Sequence, residues 1–401
     1  VSVHARRRSE RGIVLALVLV VIFVLITAVY AFQRRATIDV TIASNRLAAG
    51  EADALARGGL RVAEVLITIV RAKHAGAGAG EQAGGGNETP QINLPLDATS
   101  DATAVDALWQ GIGNFPIELD DDRTLRIEIE DEGAKLNLNA LVAASLEPPP
   151  DTSADDEGDG EEPSEDDRVD EGEGASEDAV EYLTEVMRYV IDGMPADAST
   201  RAYDPKAIAE NILDFIDADT TSVNGRSEDE YYRRQDPPYR AWNQPLASVD
   251  QLGLVEDVDP PLLEALRHYV TVHPIGGTQG INLNRAEPWV LKLVYTGTSG
   301  NRRLIDDRLA EDVYKLRNKD KLACTTAGGD PRCVALSEIG SGDLGNGDIF
   351  PPVELPAKPE VFRVVATATV GDITRRLEAI FDTRPKTGPQ LLSWRRLRGR
   401  N

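Results

Sequence analysis

Three aspartates close an apolar-periodic segment, Asp214, Asp217 and Asp219, and are followed by Thr220, Thr221, Ser222, Asn224 and Gly225, then by Glu228, Asp229 and Glu230. Hard oxygen donors gathered around a turn suit Ca2+, which takes about six to eight oxygens in a flexible shell. The spacing is not that of an EF-hand loop, and the same residues also describe a solvated helix C-terminus. A second oxygen-rich stretch, residues 341–348, carries Asp343, Asn346 and Asp348 and reads either as a cation loop or as a plain Gly/Asp/Asn turn. The chain's 2 cysteines, Cys324 and Cys333, lie in a Gly/Pro-containing stretch. In an oxidising compartment such a pair staples its own loop. A zinc site lacks companions, because His4, His74, His268 and His273 are not near that pair at metal-site spacing. No Gly-x-Ser-x-Gly, His-Glu-x-x-His or phosphate-cradling Gly loop with Lys occurs, and paired carboxylates carry no specificity in so acidic a chain. The residues point to binding and structure rather than catalysis, and no catalytic residue is expected.

What positions these residues begins with a membrane-length segment. Residues 13–32 carry no charged side chain and follow Arg6, Arg7, Arg8 and Arg11. About 20 apolar residues are needed to cross a bilayer as a helix, and the basic flank stays on the cytoplasmic side. The expectation is one membrane pass with the body exported. The formal net charge is -24, and residues 147–178 hold 16 acidic residues against the single Arg168. That stretch has almost no large apolar side chain to offset chain entropy, so it reads as a disordered loop: a solvated spacer, or a weak calcium-collecting or docking segment. Clustered Lys and Arg, which nucleic acid requires, occur only in a short basic tail, residues 384–401. Nucleic acid is not an expected partner.

Beyond the span, Ile38, Ile42, Leu47, Leu55, Leu60, Val62, Val65, Leu66 and Ile69 keep a helical rhythm, and no proline occurs until Pro90. One helix from residue 13 to about residue 71 would measure about 85 Å, with a bend at Gly58-Gly59. Alternation at Leu125, Ile127 and Ile129 predicts a strand, and residues 361–370 and 373–381 predict a hairpin closed by Gly371-Asp372 in a type II′ turn. Between them the texture is helical. Ser176 opens a run to Ile191 stopped by Gly193, Asp204-Pro205 opens one to Ile216, Ser248 and Gln251 form a capping box, and Asp259-Pro260 opens another. The fold class expected is α+β: a long N-terminal helix packed on an antiparallel sheet, with a large all-helical insertion. The expected divisions are a leader at 1–12, the helix at 13–72, a first α/β part at 73–135, the insertion at 136–284, a second α/β part at 285–383, and the tail. Leu136-Asn-Leu-Asn139 and Ile281-Asn-Leu-Asn284 stand at the insertion's two borders and could pair to close it.

The basic leader ending in Gly12 and running into Ile13 resembles the class III leader of type IV pilins and type II secretion pseudopilins. That resemblance implies cutting by a prepilin peptidase between Gly12 and Ile13, methylation of the new terminus, and a pilin-like fold. Most such proteins place Glu at the fifth residue after the cut; this chain has Leu17. Lacking that Glu is a feature of the K-type minor pseudopilins of type II secretion. Further pieces resemble the same family in its own order: residues 129–141, 213–219, 228–232, 248–255 and 281–288. The resemblance implies a subunit at the pseudopilus tip that binds I- and J-type minor pseudopilins and the major pseudopilin filament. It also implies inner-membrane anchoring and contact with secreted cargo or the secretin. For calcium it implies Asp217, Asp219, a backbone oxygen near Val223, and Glu228 or Asp229 as ligands. Two other readings stay open: a single-pass anchored periplasmic binding protein, and an uptake protein in which residues 248–268 form a helix–hairpin–helix DNA module. Glu256, Asp257 and Asp259 at that hairpin would repel phosphate.

Overall fold

The computed structural model describes residues 4–77, 109–114, 116–146, 171–195, 201–218, 222, 229–298, 300–326, 330–342, 344 and 348–397. The first element is one helix, α1 (His4–Ala77), of 74 residues. It runs through Gly58-Gly59 without interruption, so the expected bend is not a break. Gly59 serves close packing instead: a Cβ there would lie 2.9 Å from Leu125 Cδ1 and 3.1 Å from Ala366 Cβ. From Val14 to Leu47 the large apolar side chains of α1 are exposed, whereas Ala52, Ala56, Ala63, Ile67 and Val70 are buried. Small residues at three-to-four spacing let the helix lie close on the sheet.

The sheet begins with β1 (Ile117–Asp120) and β2 (Arg123–Asp131). The chain then leaves through β3 (Leu136–Asn137) into helices Leu138–Leu146, Glu171–Asp192, Pro205–Ile216, Asp229–Tyr232 and Pro260–Leu266, and returns as β4 (Val270–Thr271), which pairs parallel to β3. Helix Pro288–Leu291, strands β5 (Tyr295–Thr298) and β6 (Asn301–Leu304), helix Asp307–Arg317, β7 (Leu322–Cys324), β8 (Cys333–Ala335) and β9 (Asp348–Phe350) follow. Finally β10 (Val361–Val370), β11 (Ile373–Asp382) and β12 (Gln390–Leu397) complete a five-stranded antiparallel sheet in the order β1-β2-β10-β11-β12. Val370 faces Ile373 across a two-residue turn in which Gly371 takes φ +55, as a type II′ turn requires. The pilin-like arrangement is therefore present: a long helix laid on an antiparallel sheet.

Two apolar cores correspond to two lobes. One joins α1 to the sheet through Ile67, Ile127, Phe362, Val364 and Leu377. The other runs without interruption from Leu136 to Leu355. Residues on both sides of the expected division at residue 284 contribute to this second core. Residues after 285 belong to the insertion because their apolar side chains are spent there: Tyr295 stacks on Tyr182 at 4.6 Å between ring centroids, and Tyr182 Oη donates to Leu293 O at 2.6 Å. The insertion also holds short strands besides its helices. In the acidic stretch, helix Glu171–Asp192 already includes residues 171–178, and Asp178 is buried against Arg302, which supplies its counter-charge. Residues 147–170 of the expected disordered loop lie outside the described residues. The basic tail forms β12 as far as Leu397, pairing Leu377 with Arg396 and Glu378 with Arg395.

Candidate assembly surfaces and metal loop

The chemistry-bearing turn follows helix Pro205–Ile216, which starts with Asp204 accepting from Lys206 N at 3.1 Å and Pro205 in its first turn. Asp214 is buried and accepts a hydrogen bond from Ser222 Oγ, tying the turn back onto the helix end. Asp217 is the C-cap of the same helix. Asp219, Val223 and Glu228 lie outside the described residues. Asp229 opens the next helix, and its carboxylate accepts from Arg233 Nη2 at 2.8 Å and from Ala241 N at 3.2 Å. Among the described residues no group of three His, Cys, Asp or Glu side chains is arranged to hold a metal. Of the second oxygen-rich stretch, Asp343 and Asn346 lie outside the described residues, and Asp348 is the first residue of β9. Cys324 and Cys333 form a disulfide that ties β7 to β8, with Cα atoms 5.6 Å apart.

The two Asn-rich borders do not pair with each other; they repeat one device. At each, the first Asn caps the second: Asn139 N donates to Asn137 Oδ1 at 3.1 Å, and Asn284 N donates to Asn282 Oδ1 at 3.1 Å. The second Asn then acts as a side-chain rung. Asn139 donates to Leu246 O at 2.9 Å and accepts from Leu246 N at 2.8 Å; Asn284 donates to Ala323 O at 2.8 Å and accepts from Ala323 N at 2.7 Å. The likeness of the borders was legible; their partners, far away in sequence, were not.

At the neck between the lobes, Asp131 is 4% exposed and accepts from Gly133 N at 3.0 Å, with Arg285 Nε 3.7 Å away. Burial pushes its carboxyl up to about 6, against the opposing pull of Arg285. Glu132, also buried, accepts from Thr271 Oγ1, and burial pushes the His273 imidazole down. Asp131, Asn137, His273, Asn282, Lys358 and Glu360 line a cavity of about 180 Å³ here.

On the sheet face away from α1, a charge ladder crosses four strands and ends on the insertion. Lys135 Nζ lies 3.8 Å from Glu130, Glu130 lies 2.9 Å from Arg363 Nη1, Arg363 Nη2 lies 2.6 Å from Glu378, and Glu378 lies 2.6 Å from Arg395 Nε. Arg395 continues to Asp250, which also binds Arg267. Burial alone would raise the Glu378 carboxyl, but Arg363 and Arg395 hold it below its ordinary value; Asp250 is likewise held down by Arg267 and Arg395. Arg363, the single charge in β10, and Glu378, set within the otherwise apolar residues 377–381 of β11, were the available signal. The expected helix–hairpin–helix pair is different in form: its first arm, Val249–Leu254, is a 3-10 turn, and Asp250 on it is engaged by Arg267 and Arg395.

The apolar stretch of α1 from Val14 onward is long and apolar enough to cross a membrane. Gly12 and Ile13, the expected processing pair, lie within that helix.

A family model described as type II secretion system (T2SS), protein K, matches residues 134–275. The chain is similar to type II secretion system protein K of Aeromonas hydrophila, with 30% identity over 204 residues, covering 49% of this chain and 55% of that protein. It thus spans about half the length of that relative. It is also similar to type II secretion system protein K of Pseudomonas aeruginosa, with 23% identity over 373 residues, covering 91% of this chain and 86% of that one. Among solved structures, a chain in the crystal structure of the GspK-GspI-GspJ complex from the enterotoxigenic Escherichia coli Type 2 Secretion System is similar with a TM-score of 0.43 and 18% identity, covering 74% of this chain and 93% of that one.

Proposed function

We propose, from the premise that residues 134–275 belong to the type II secretion system protein K family, that the whole chain acts as a K-type minor pseudopilin. The observation that carries this reading is one combination within a single chain. The family match falls on the insertion lobe, while the host lobe is a helix with an exposed apolar half laid on an antiparallel sheet. The role is structural. In this reading α1 anchors the chain in the inner membrane with the body in the periplasm, after a prepilin peptidase cuts between Gly12 and Ile13. The apolar half of α1 then packs against major pseudopilins when the subunit is extracted into the filament.

The chain sits at the filament tip with I- and J-type minor pseudopilins, primes assembly, and meets cargo or the secretin. Leu17, standing where Glu would engage a subunit ahead, suits a subunit with none above it. Asp217, Asp219, the Val223 carbonyl, and Glu228 or Asp229 hold Ca2+; Asp343, Asn346 and Asp348 are a further candidate set.

Co-expression of the full chain with candidate I- and J-type pseudopilins tests the tip assignment. A ternary complex retained on size exclusion in Ca2+ is expected, and a chain that elutes alone counts against it. N-terminal sequencing of membrane-extracted protein is expected to begin at Ile13; an uncut leader overturns the processing step.

A further inference from the structure

The apolar stretch of α1 ends in four side chains, two aromatic and two basic, that the fold leaves uncovered. Tyr30 and Phe32 are 67% and 76% exposed, and Arg34 and Arg35 follow, also exposed. Among the described residues neither arginine enters an ion pair, and Asp39, one turn beyond Arg35, is not within ion-pair distance; the first α1 carboxylate that is so engaged is Glu51, 3.2 Å from Arg123. We propose that Tyr30, Phe32, Arg34 and Arg35 form a lipid-headgroup site, in which the two guanidinium groups bind the phosphates of anionic lipid in the leaflet nearest the folded body. The proposal rests on the membrane-anchored reading above.

Position argues for it first. A hydrocarbon layer of about 30 Å takes about 20 helical residues. Residues 13–32 are uncharged over that length, so residues 30–35 emerge at the boundary. Amphipathic rings favour that level, and a guanidinium fork matches phosphate oxygens bidentately. Charge argues for lipid over a second copy of the chain. Residues 13–38 contain no Asp or Glu, so the same stretch of a neighbouring copy would set arginine against arginine. The site is continuous with the apolar span, and a phosphate layer is the counter-charge at that depth.

The test reconstitutes the full chain in vesicles of phosphatidylcholine and phosphatidylglycerol. The readout is the relative association of spin-labelled phosphatidylglycerol over spin-labelled phosphatidylcholine at the protein surface. Each arginine is expected to contribute up to about five-fold, so the wild-type chain favours the anionic lipid several-fold. Arg34→Gln with Arg35→Gln lowers the ratio several-fold, to the share owed to Arg6, Arg7, Arg8 and Arg11 at the opposite boundary, and Arg34→Lys with Arg35→Lys keeps most of it. A ratio of one in the wild type, or one unchanged by the double glutamine variant, overturns the proposal while leaving the anchored reading intact. Loss of the wild-type chain from vesicles on alkaline extraction overturns both. Retention of all three proteins shows that the variants insert alike.

Discussion

Asp131 illustrates how much a single buried carboxyl can set. Its folded pKa of about 6 lies above the ordinary 3.8, so between those values the folded chain holds a proton that the unfolded chain has lost. Its contribution therefore raises stability as pH falls from about 6 to about 4, by up to about 3 kcal/mol. Asp131→Asn keeps the acceptor for Gly133 N and removes the titration. Urea unfolding at pH 4.5 and 7.5 is expected to show less gain on acidification than wild type shows at this site, measured as the difference between the two proteins. Asn139 acts by geometry rather than charge. Asn139→Ala leaves Leu246 N, Leu246 O and Val272 O without their side-chain partner in a buried neck, and is expected to cost about 2–4 kcal/mol in the same assay. The four border asparagines were visible as a repeated pattern, but the peptide groups that Asn139 and Asn284 bridge lie 39 or more residues away and only folding brings them together.

At the scale of elements, the seat of α1 on the sheet depends on a missing side chain. A Cβ at Gly59 would crowd both Leu125 and Ala366, so Gly59→Val is expected to destabilise the host lobe by about 1–3 kcal/mol despite the better helix propensity of the new residue. Thermal unfolding followed by near-ultraviolet circular dichroism checks this. Doublet Gly58-Gly59 looked like a bend because glycine is the weakest helix former among ordinary residues; contact with the sheet gives Gly59 a packing role that local sequence did not show. The ladder through Glu378 couples strands to the insertion. Glu378→Gln leaves Arg363 and Arg395 short of a carboxylate and is expected to cost about 2–4 kcal/mol at neutral pH. Because Glu378 is held below its ordinary pKa, its contribution is full above that ordinary value and fades as pH falls through the folded one. The penalty of Glu378→Gln is therefore expected to shrink at pH 3, the reverse of the behaviour at Asp131.

For the whole molecule, two lobes with separate cores meet at the neck and along the ladder. The disulfide Cys324–Cys333 belongs to the insertion lobe, where it ties β7 to β8. Replacing both cysteines with alanine frees a short loop in the unfolded chain and is expected to cost about 2–3 kcal/mol. Hydrogen exchange read by mass spectrometry should place the loss in residues 136–355, with β2, β10 and β11 little changed. Equal loss in both lobes would mean that they unfold as one cooperative unit.

Local signals were enough for much of this protein: the uncharged run after Gly12, the alternation in β2, the hairpin around Gly371, the capped helices and the cysteine pair each depend on neighbours a few residues apart. The α+β class followed from them, because a strand at residue 125 and a hairpin at residue 361 need one another to bury a common face. Tertiary structure alone decided where the insertion ends, since Tyr295 and Leu309 are as apolar as any sheet residue and only packing against Tyr182 and its neighbours assigns them. It also turned the basic tail into β12 and residues 171–178 into helix. Each stretch found a buried or half-buried counter-charge that lies apart from it along the chain, Glu378 for Arg395 of the tail and Arg302 for Asp178.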